Sequence, residues 1–270
     1  MSAPAWASTN NGHPDRVLAF AHRGGAKLWP ENTLLAFEKA YALGCRYLET
    51  DVRASRDGQL VAFHDATLER TTNGHGPVAE RTLEQLLGLD AGYGFQDAAG
   101  KHSFRGQGIT IPTLRELLES LPQAHFNIEI KPRDLQVAQA LWDLIEQLGV
   151  HGRVLVAAAQ TVLVRHFRQI SRGRVPTSAG RREVASFWAK SRLGRRSESP
   201  PYQALQVPPA YGPLRVVTRH FVESAHRAGV QVHVWTVDCE ETMRQLVALG
   251  VDGLMSDRPD RLISVVGATS

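Results

Sequence analysis

Residues 46–64 read Arg46-Tyr-Leu-Glu-Thr-Asp-Val-Arg-Ala-Ser-Arg-Asp-Gly-Gln-Leu-Val-Ala-Phe-His64. Two extended runs, over 46–52 and 59–64, flank Asp57-Gly58, and Asp-Gly between such runs is a strong signal for a two-residue hairpin turn. Parallel neighbours would need a crossover of about a dozen residues or more. The second run is therefore expected to fold back antiparallel on an extension of the first. With 57 and 58 as the loop, position 56 faces 59 and, counting outward, Asp51 faces His64, their Cβ atoms roughly 4.5–5.5 Å apart.

Outward from this hairpin, short apolar runs alternate with stretches of helical periodicity. Strands are expected over 17–21, 46–52, 126–131, 153–157, 174–178, 203–207, 231–236 and 252–255. Helices are expected over 33–43, 113–121, 135–148, 161–170, 181–190, 218–228, 239–249 and 258–265. Eight strand-then-helix units in 270 residues predict an α/β fold of one domain, a (β/α)8 TIM barrel. Residues 1–16 read as a loose tail and 17–266 as the barrel domain, with a small insertion over 65–112 after the strand-two hairpin and an irregular excursion over 191–213. The insertion is rich in Gly, Thr and His and carries one short helical stretch, 82–87.

A formal charge of +4 suits anionic small substrates, and there is no nucleic-acid-binding motif or long basic stripe. Cys45 and Cys239 lack CxxC spacing and read as small buried hydrophobes. No run reaches the ~18 apolar residues of a membrane span, and a soluble, cytoplasmic protein is expected. Phe187, Trp188, Lys190, Arg192, Arg195 and Arg196 read either as a solvated basic loop or as a weak contact with an anionic membrane surface.

Five polar residues stand where apolar ones are expected: His22, Glu49, Asp51, His64 and Glu129, each inside or at the end of an apolar run. Glu49 and Asp51 are two apart on one strand and share a face, which in a barrel is the inner one. Glu129 and Lys131 repeat that spacing, and both pairs lie near the C-terminal strand ends, where barrel active sites are built. Burying one unpartnered carboxylate costs several kcal/mol, and three together also repel, so the pattern points to a cation. An oxygen-only donor set favours one divalent ion, Mg²⁺ or Ca²⁺, over zinc. The alternative is that Glu129 pairs with Lys131 and Glu49 with an arginine. His22 and His64 at the same mouth fit a general acid and a general base, imidazole titrating near pH ~6.5. Arg23 and Lys131 supply fixed positive charge suited to a phosphate. Gly24-Gly25 serves either a close ligand approach or a plain turn; Trp235 either walls the site or packs in the core; Glu31 either orients Arg23 or suits a helix dipole; Asp257 reads as a helix N-cap.

His22-Arg-Gly-Gly25, Pro30-Glu-Asn-Thr33, Glu49-Thr-Asp-Val52, His64-Asp65, Glu129-Ile-Lys131, Trp235-Thr-Val-Asp238 and Asp252-Gly253 through Ser256-Asp-Arg-Pro259 resemble, in order, the signature of the glycerophosphodiester phosphodiesterase family. The resemblance implies a (β/α)8 barrel that hydrolyses glycerophosphodiesters to an alcohol and sn-glycerol 3-phosphate. It also implies His22 and His64 as the acid/base pair, Glu49, Asp51 and Glu129 as metal ligands, and Arg23 and Lys131 as phosphate contacts. Two other readings stay open: a lysophospholipase D or sphingomyelinase D-like lyase forming a cyclic phosphate, and a catalytically silent lipid-binding barrel.

Overall fold

In the computed structural model, which describes residues 17–193 and 199–267, the parallel strands form a ring. The N-terminal tail expected over 1–16 and the basic pair Arg195 and Arg196 lie outside the described residues. Strand β1 (Leu18–His22) pairs on one side with β2 (Tyr47–Ala54) and on the other with β10 (Gly253–Ser256). From β2 the sheet runs through β4 (His125–Ile130) to β5 (Val154–Ala157), and from β10 through β9 (Gln231–Val234) to β6 (Ala204–Val207). The gap between β5 and β6 is spanned by the bridges Val156 to Thr177 and Ser178 to Ala204. The chain thus has the TIM-barrel plan expected of it.

The segment expected as a strand over 174–178 is the one weak stave. Pro176 has no N–H to give the ladder, although its carbonyl accepts from Val156 N at 3.0 Å. Backbone pairing resumes with Ser178 N donating to the Val156 carbonyl at 3.0 Å and Gln203 N to the Thr177 carbonyl at 2.9 Å, and Arg168 adds bonds from Nε to Thr177 Oγ1 at 2.7 Å and from Nη2 to the Ser178 carbonyl at 3.0 Å. Glu183 fixes that guanidinium with a fork at 2.8 and 2.9 Å.

The helices start with side-chain caps where the sequence supplies them. In α1 (Leu34–Ala42) the Thr33 hydroxyl accepts from Ala36 N, and Ala36, Phe37 and Ala40 face inward. Among the helices that follow are α2 (Leu83–Leu87), α3 (Leu114–Ser120), α4 (Leu135–Leu148), α5 (Thr161–Ser171), α6 (Arg181–Arg192), α7 (Arg219–Arg227), α8 (Glu240–Ala248) and α9 (Pro259–Val266). The largest apolar cluster fills the space between sheet and helices; a small one, including Leu18, Phe20, Tyr47, Leu155 and Met255, sits on the alternate strand positions that face the barrel axis. A third lies under the 65–112 insertion, where Phe63, Leu68, Val78, Leu86 and Ile111 pack together, and a 3₁₀ turn over Val78–Glu80 adds to the one helix expected there.

Strand β3 (Leu60–Ala62) pairs antiparallel with β2, as expected, but the register is one residue short. Val52 faces Ala62, Arg53 faces Val61 and Ala54 faces Leu60, and Phe63 N donates to the Asp51 carbonyl at 3.0 Å. The loop is three residues, Arg56-Asp57-Gly58: Gly58 N closes a turn onto the Ser55 carbonyl at 3.0 Å and Gly58 adopts φ +78°. That is the three-residue hairpin with a left-handed glycine, and it opposes Asp51 to Phe63 in place of His64.

Two expectations about the surface fail. Phe187 is buried and meets the Phe221 ring edge-on at 5.7 Å, so it cannot touch a membrane. Cys45 is buried as expected, but Cys239 is exposed; neither is in a disulfide. Among the described residues no helix is long and apolar enough to cross a membrane. A two-stranded hairpin follows β6: β7 (Ala210–Tyr211) lies inside the stretch expected to be irregular, and its partner β8 (Leu214–Arg215) lies just past the end of that stretch.

Candidate active site

Parallel register brings the carboxylates together. His22 is level with Glu49 across β1 and β2, and Asp51 is level with Glu129 across β2 and β4. Glu49 and Asp51 are buried. Each of Glu49, Asp51 and Glu129 offers one oxygen, and the three oxygens lie within 4.8 Å of one another. The pairing alternative is partly realised: Lys131 Nζ lies 2.8 Å from Glu129 and 2.9 Å from Asp51 Oδ1, and Arg23 Nε lies 3.1 Å from Asp51 Oδ2. It does not complete the site. Arg23 is shared between Asp51 and Glu31, and Lys131 between Asp51 and Glu129, so neither cation is held by one carboxylate alone.

Glu49 carries the residual mismatch. Its burial, then the neighbouring Asp51 charge, push its carboxyl up to about 7, in spite of His22, Lys131 and Arg23. Asp51 is pulled the other way: burial opposes its charge, but Lys131 and Arg23 outweigh burial and hold it below the usual carboxylate range. Two cations do not neutralise three clustered carboxylates, of which Glu49 and Asp51 are buried and Glu129 part-buried. A hard divalent cation fits this donor set on charge and on ligand chemistry.

Both histidines have a carboxylate behind them. His22 Nδ1 lies 2.7 Å from Asp257 Oδ1, and its Nε2 lies 3.7 Å from Glu49 Oε2. His64 Nδ1 lies 2.5 Å from Asp65 Oδ1. A nitrogen against a carboxylate keeps the proton and donates, so Nε2 is the free working atom of each ring. Burial works against the charged form of both. At His22 the Glu49 charge and the Asp257 hydrogen bond win, raising its pKa; at His64 burial wins over Asp51 and Asp65, lowering it. His64 is thus close enough for the Asp51 charge to act on it despite the slipped register, because β3 ends at Ala62 and the chain leaves the sheet before His64.

Several ambiguities are resolved by contacts. Glu31 binds Arg23. Trp235 is 42% exposed at the end of β9, so its indole is not core. A Cβ on Gly24 would lie 2.7 Å from Ala36 Cβ and one on Gly25 would lie 2.8 Å from Pro259 Cγ. With φ of +81° and +101°, the two glycines serve a tight turn against α1 and α9. Asp257 is not an N-cap; Arg258 occupies that position and Pro259 opens α9, while the Asp257 side chain turns to His22.

Three supporting residues escape the sequence reading. Asn32 is buried, donates from Nδ2 to Asp51 Oδ2 at 2.9 Å and accepts from Thr50 Oγ1 at 2.8 Å. Asp238 Oδ1 accepts from Ser256 Oγ and from Asp257 N, both at 2.8 Å, and so fixes the turn that carries Asp257. Arg70, from the insertion, contacts Glu31 and Asp65. Asn32 and Asp238 stand inside the quoted Pro30–Thr33 and Trp235–Asp238 segments, which was a signal of place though not of task.

Comparison with known proteins agrees with this geometry. The model of the "Glycerophosphoryl diester phosphodiesterase family" matches residues 22–261. A glycerophosphodiester phosphodiesterase of Caldanaerobacter subterraneus subsp. tengcongensis is 33% identical over 256 residues, covering 93% of this chain and 98% of the relative. A probable glycerophosphodiester phosphodiesterase 2 of Mycobacterium tuberculosis is 34% identical over 254 residues, covering 92% and 90%. A lysophospholipase D of Rattus norvegicus is 26% identical over 269 residues, covering 90% and 83%. Among solved structures, an Oleispira antarctica phosphodiesterase in complex with the product sn-glycerol-3-phosphate superposes with a TM-score of 0.72 at 25% identity, covering 93% of this chain and 97% of that one.

Proposed function

Because this chain belongs to the glycerophosphoryl diester phosphodiesterase family and is a phosphoric diester hydrolase, we propose that it cleaves glycerophosphodiesters to an alcohol and sn-glycerol 3-phosphate with two histidines and one divalent cation. The observation that carries this reading is the convergence of Glu49, Asp51 and Glu129 with two carboxylate-backed histidines at one barrel mouth. The product held by the Oleispira relative supports the glycerol phosphate side.

In this reading Glu49, Asp51 and Glu129 would hold Mg²⁺ or Ca²⁺, which when bound would polarise phosphoryl oxygens and offset the charge that develops on them. Arg23 and Lys131, already drawn toward the carboxylates, contribute further positive charge to the phosphate. One imidazole takes a proton from the nucleophile at Nε2 and the other gives one to the leaving alkoxide at Nε2, while Asp257 and Asp65 hold the rings in that tautomer. The rise at His22 owes much to Glu49, whose charge a bound cation would share, so it does not by itself make His22 the acid. Trp235, exposed at the end of β9, walls the substrate's glycerol or its headgroup. Residues 17–266 act as one catalytic unit and 65–112 as its insertion.

The rat relative favours a second reading for the alcohol, a lysophospholipid in place of a small glycerophosphodiester. Phosphorus NMR of products from a panel of both substrate kinds, with and without chelator, tests both. Glycerol phosphate from the small diesters is expected, lysophosphatidate would move the substrate to lysophospholipids, and an accumulating cyclic phosphate would replace hydrolysis with lyase chemistry. Turnover of no diester at all would leave the silent barrel.

A further inference from the structure

Arg70 is the one described side chain that touches the supporting shell of both His64 and Arg23. It donates from Nη1 to Glu31 Oε2 at 2.7 Å, from Nη2 to Glu31 Oε1 at 2.8 Å and from Nε to Asp65 Oδ2 at 2.5 Å. Glu31 Oε1 in turn accepts from Arg23 Nη1 at 2.9 Å, and Asp65 Oδ1 faces His64 Nδ1 at 2.5 Å. The result is an unbroken chain, His64–Asp65–Arg70–Glu31–Arg23, joining the end of the hairpin to the loop after β1. Each carboxylate has both oxygens engaged, so neither can rotate without losing a partner.

The backbone of Arg70 is pinned as firmly as its side chain. Gly94, in the later half of the insertion, packs so close that a Cβ there would lie 2.1 Å from the Arg70 carbonyl oxygen and 2.9 Å from Thr71 Cα. Gly94 N donates to the Thr71 carbonyl at 3.2 Å. Leu68, two residues before Arg70, is buried in the insertion's own apolar cluster. A loop whose only task was to cover the barrel would not need its backbone fixed at the residue that bridges two site carboxylates.

We propose that Arg70 is a positioning residue, through which the insertion sets the spacing between the imidazole of His64 and the guanidinium of Arg23. The inference rests on the functional reading above, in which His64 moves a proton and Arg23 meets the phosphate. A guanidinium is required because two carboxylates on different sides must be met at once with fixed planar geometry; a lysine ammonium offers a single point.

The test compares Arg70→Ala and Arg70→Lys with the wild type, on the metal-loaded full chain. Both variants are expected to lose roughly 10- to 100-fold in kcat/KM, the usual cost of removing an outer-shell partner. The melting temperature of Arg70→Lys should stay near the wild-type value, and added guanidinium should restore part of the activity of Arg70→Ala but not of Arg70→Lys. In a His64→Ala background Arg70→Ala should cost much less than it does alone. Full activity of Arg70→Lys, or a loss that adds undiminished to that of His64→Ala, would overturn the proposal. A readout free of activity separates it from the functional reading: the downfield Nδ1 proton of His64, identified by its absence in His64→Ala, should move or vanish in Arg70→Lys. An unmoved resonance refutes the positioning role even if the wild type turns over no diester; a wild type inactive on every diester, with the resonance moved, refutes the functional reading alone.

Discussion

Replacing Asp257 isolates the support behind His22 without touching a residue assigned to the cation or the phosphate. The contact is 2.7 Å, and both side chains are mostly shielded, at 15% and 19% exposure. A hydrogen bond to a charged group is worth about 1.5–3 kcal/mol, and 1.36 kcal/mol is a factor of ten in rate. If the bond holds the imidazole in its working tautomer throughout the reaction, Asp257→Ala should lower kcat by roughly 10- to 150-fold. Asp257→Asn keeps a possible acceptor without the charge and should fall between the two. The sign of the pH effect follows from the bond favouring charged His22: its removal lowers the His22 pKa and shifts that limb of the kcat/KM profile to lower pH. For stability the same sign holds. The contact contributes below the unfolded imidazole value, about 6.5, and its contribution is lost as pH rises through the higher folded value, so the mutant's deficit in melting temperature should be larger at pH 5 than at pH 8. Steady-state profiles and thermal melts across that range measure both. Wild-type kcat with an unmoved limb would show that Asp257 only shapes the turn before α9.

Chelator should abolish turnover, Mg²⁺ or Ca²⁺ should restore it, and the ion should raise the melting temperature in a concentration-dependent way that Asp51→Asn removes; full activity in excess chelator refutes the cation. His22→Ala and His64→Ala should each lower kcat by about 10²–10⁴-fold, and the double mutant should fall short of the product of the two losses; kinetics of the three variants decide it, and wild-type rates in either single mutant would make the ring structural. His233, fully buried beside Phe20, has its pKa pushed by burial from 6.5 to about 4. The unfolded chain binds that proton first as pH falls, so stability is whole above pH 6.5, drops toward pH 4 by roughly 3 kcal/mol in total and then levels; denaturant melts of wild type and His233→Gln should differ in that window, and parallel curves would exclude the assignment.

Much of the fold was legible because its signals are local. Strand runs, cap residues and the spacing of Glu49 with Asp51 and of Glu129 with Lys131 depend on a few neighbouring positions, and parallel register then did the rest, placing Asp51 level with Glu129. What was not legible depends on partners far along the chain. Asp257 is 235 positions from His22, and a Ser-Asp-Arg-Pro sequence is equally good as a helix start, so nothing local tells a capping aspartate from one that reaches across the barrel. Arg70 is 39 positions from Glu31 inside a segment without periodicity. The strand expected over 174–178 is realised only as the bridges of Thr177 and Ser178 for a related reason: its apolar residues belong to the core, but Pro176 withholds a donor, and Arg168, from α5, bonds Thr177 Oγ1 and the Ser178 carbonyl.

The hairpin shows where counting stops being enough. Asp57-Gly58 has the composition of a two-residue turn, yet Ser55 outbids that register: its hydroxyl accepts from Gln59 N at 2.9 Å and donates to Asp57 at 2.6 Å, while its carbonyl takes Gly58 N. These local bonds favour a turn followed by one left-handed residue, for which Gly58 is suited, and they cost the ladder one step. A one-residue slip should send a side chain to the opposite face. His64 escapes that consequence only because β3 is three residues long and ends before it; from there its ring is placed by Asp65, and its carbonyl accepts from Arg53 Nε at 2.9 Å. The placement of the second histidine therefore belongs to side-chain contacts as well as to strand register, so a one-residue insertion in the Arg56–Gly58 loop would reach His64 by disturbing Arg53, Asp65 or the bond from Phe63 N to the Asp51 carbonyl.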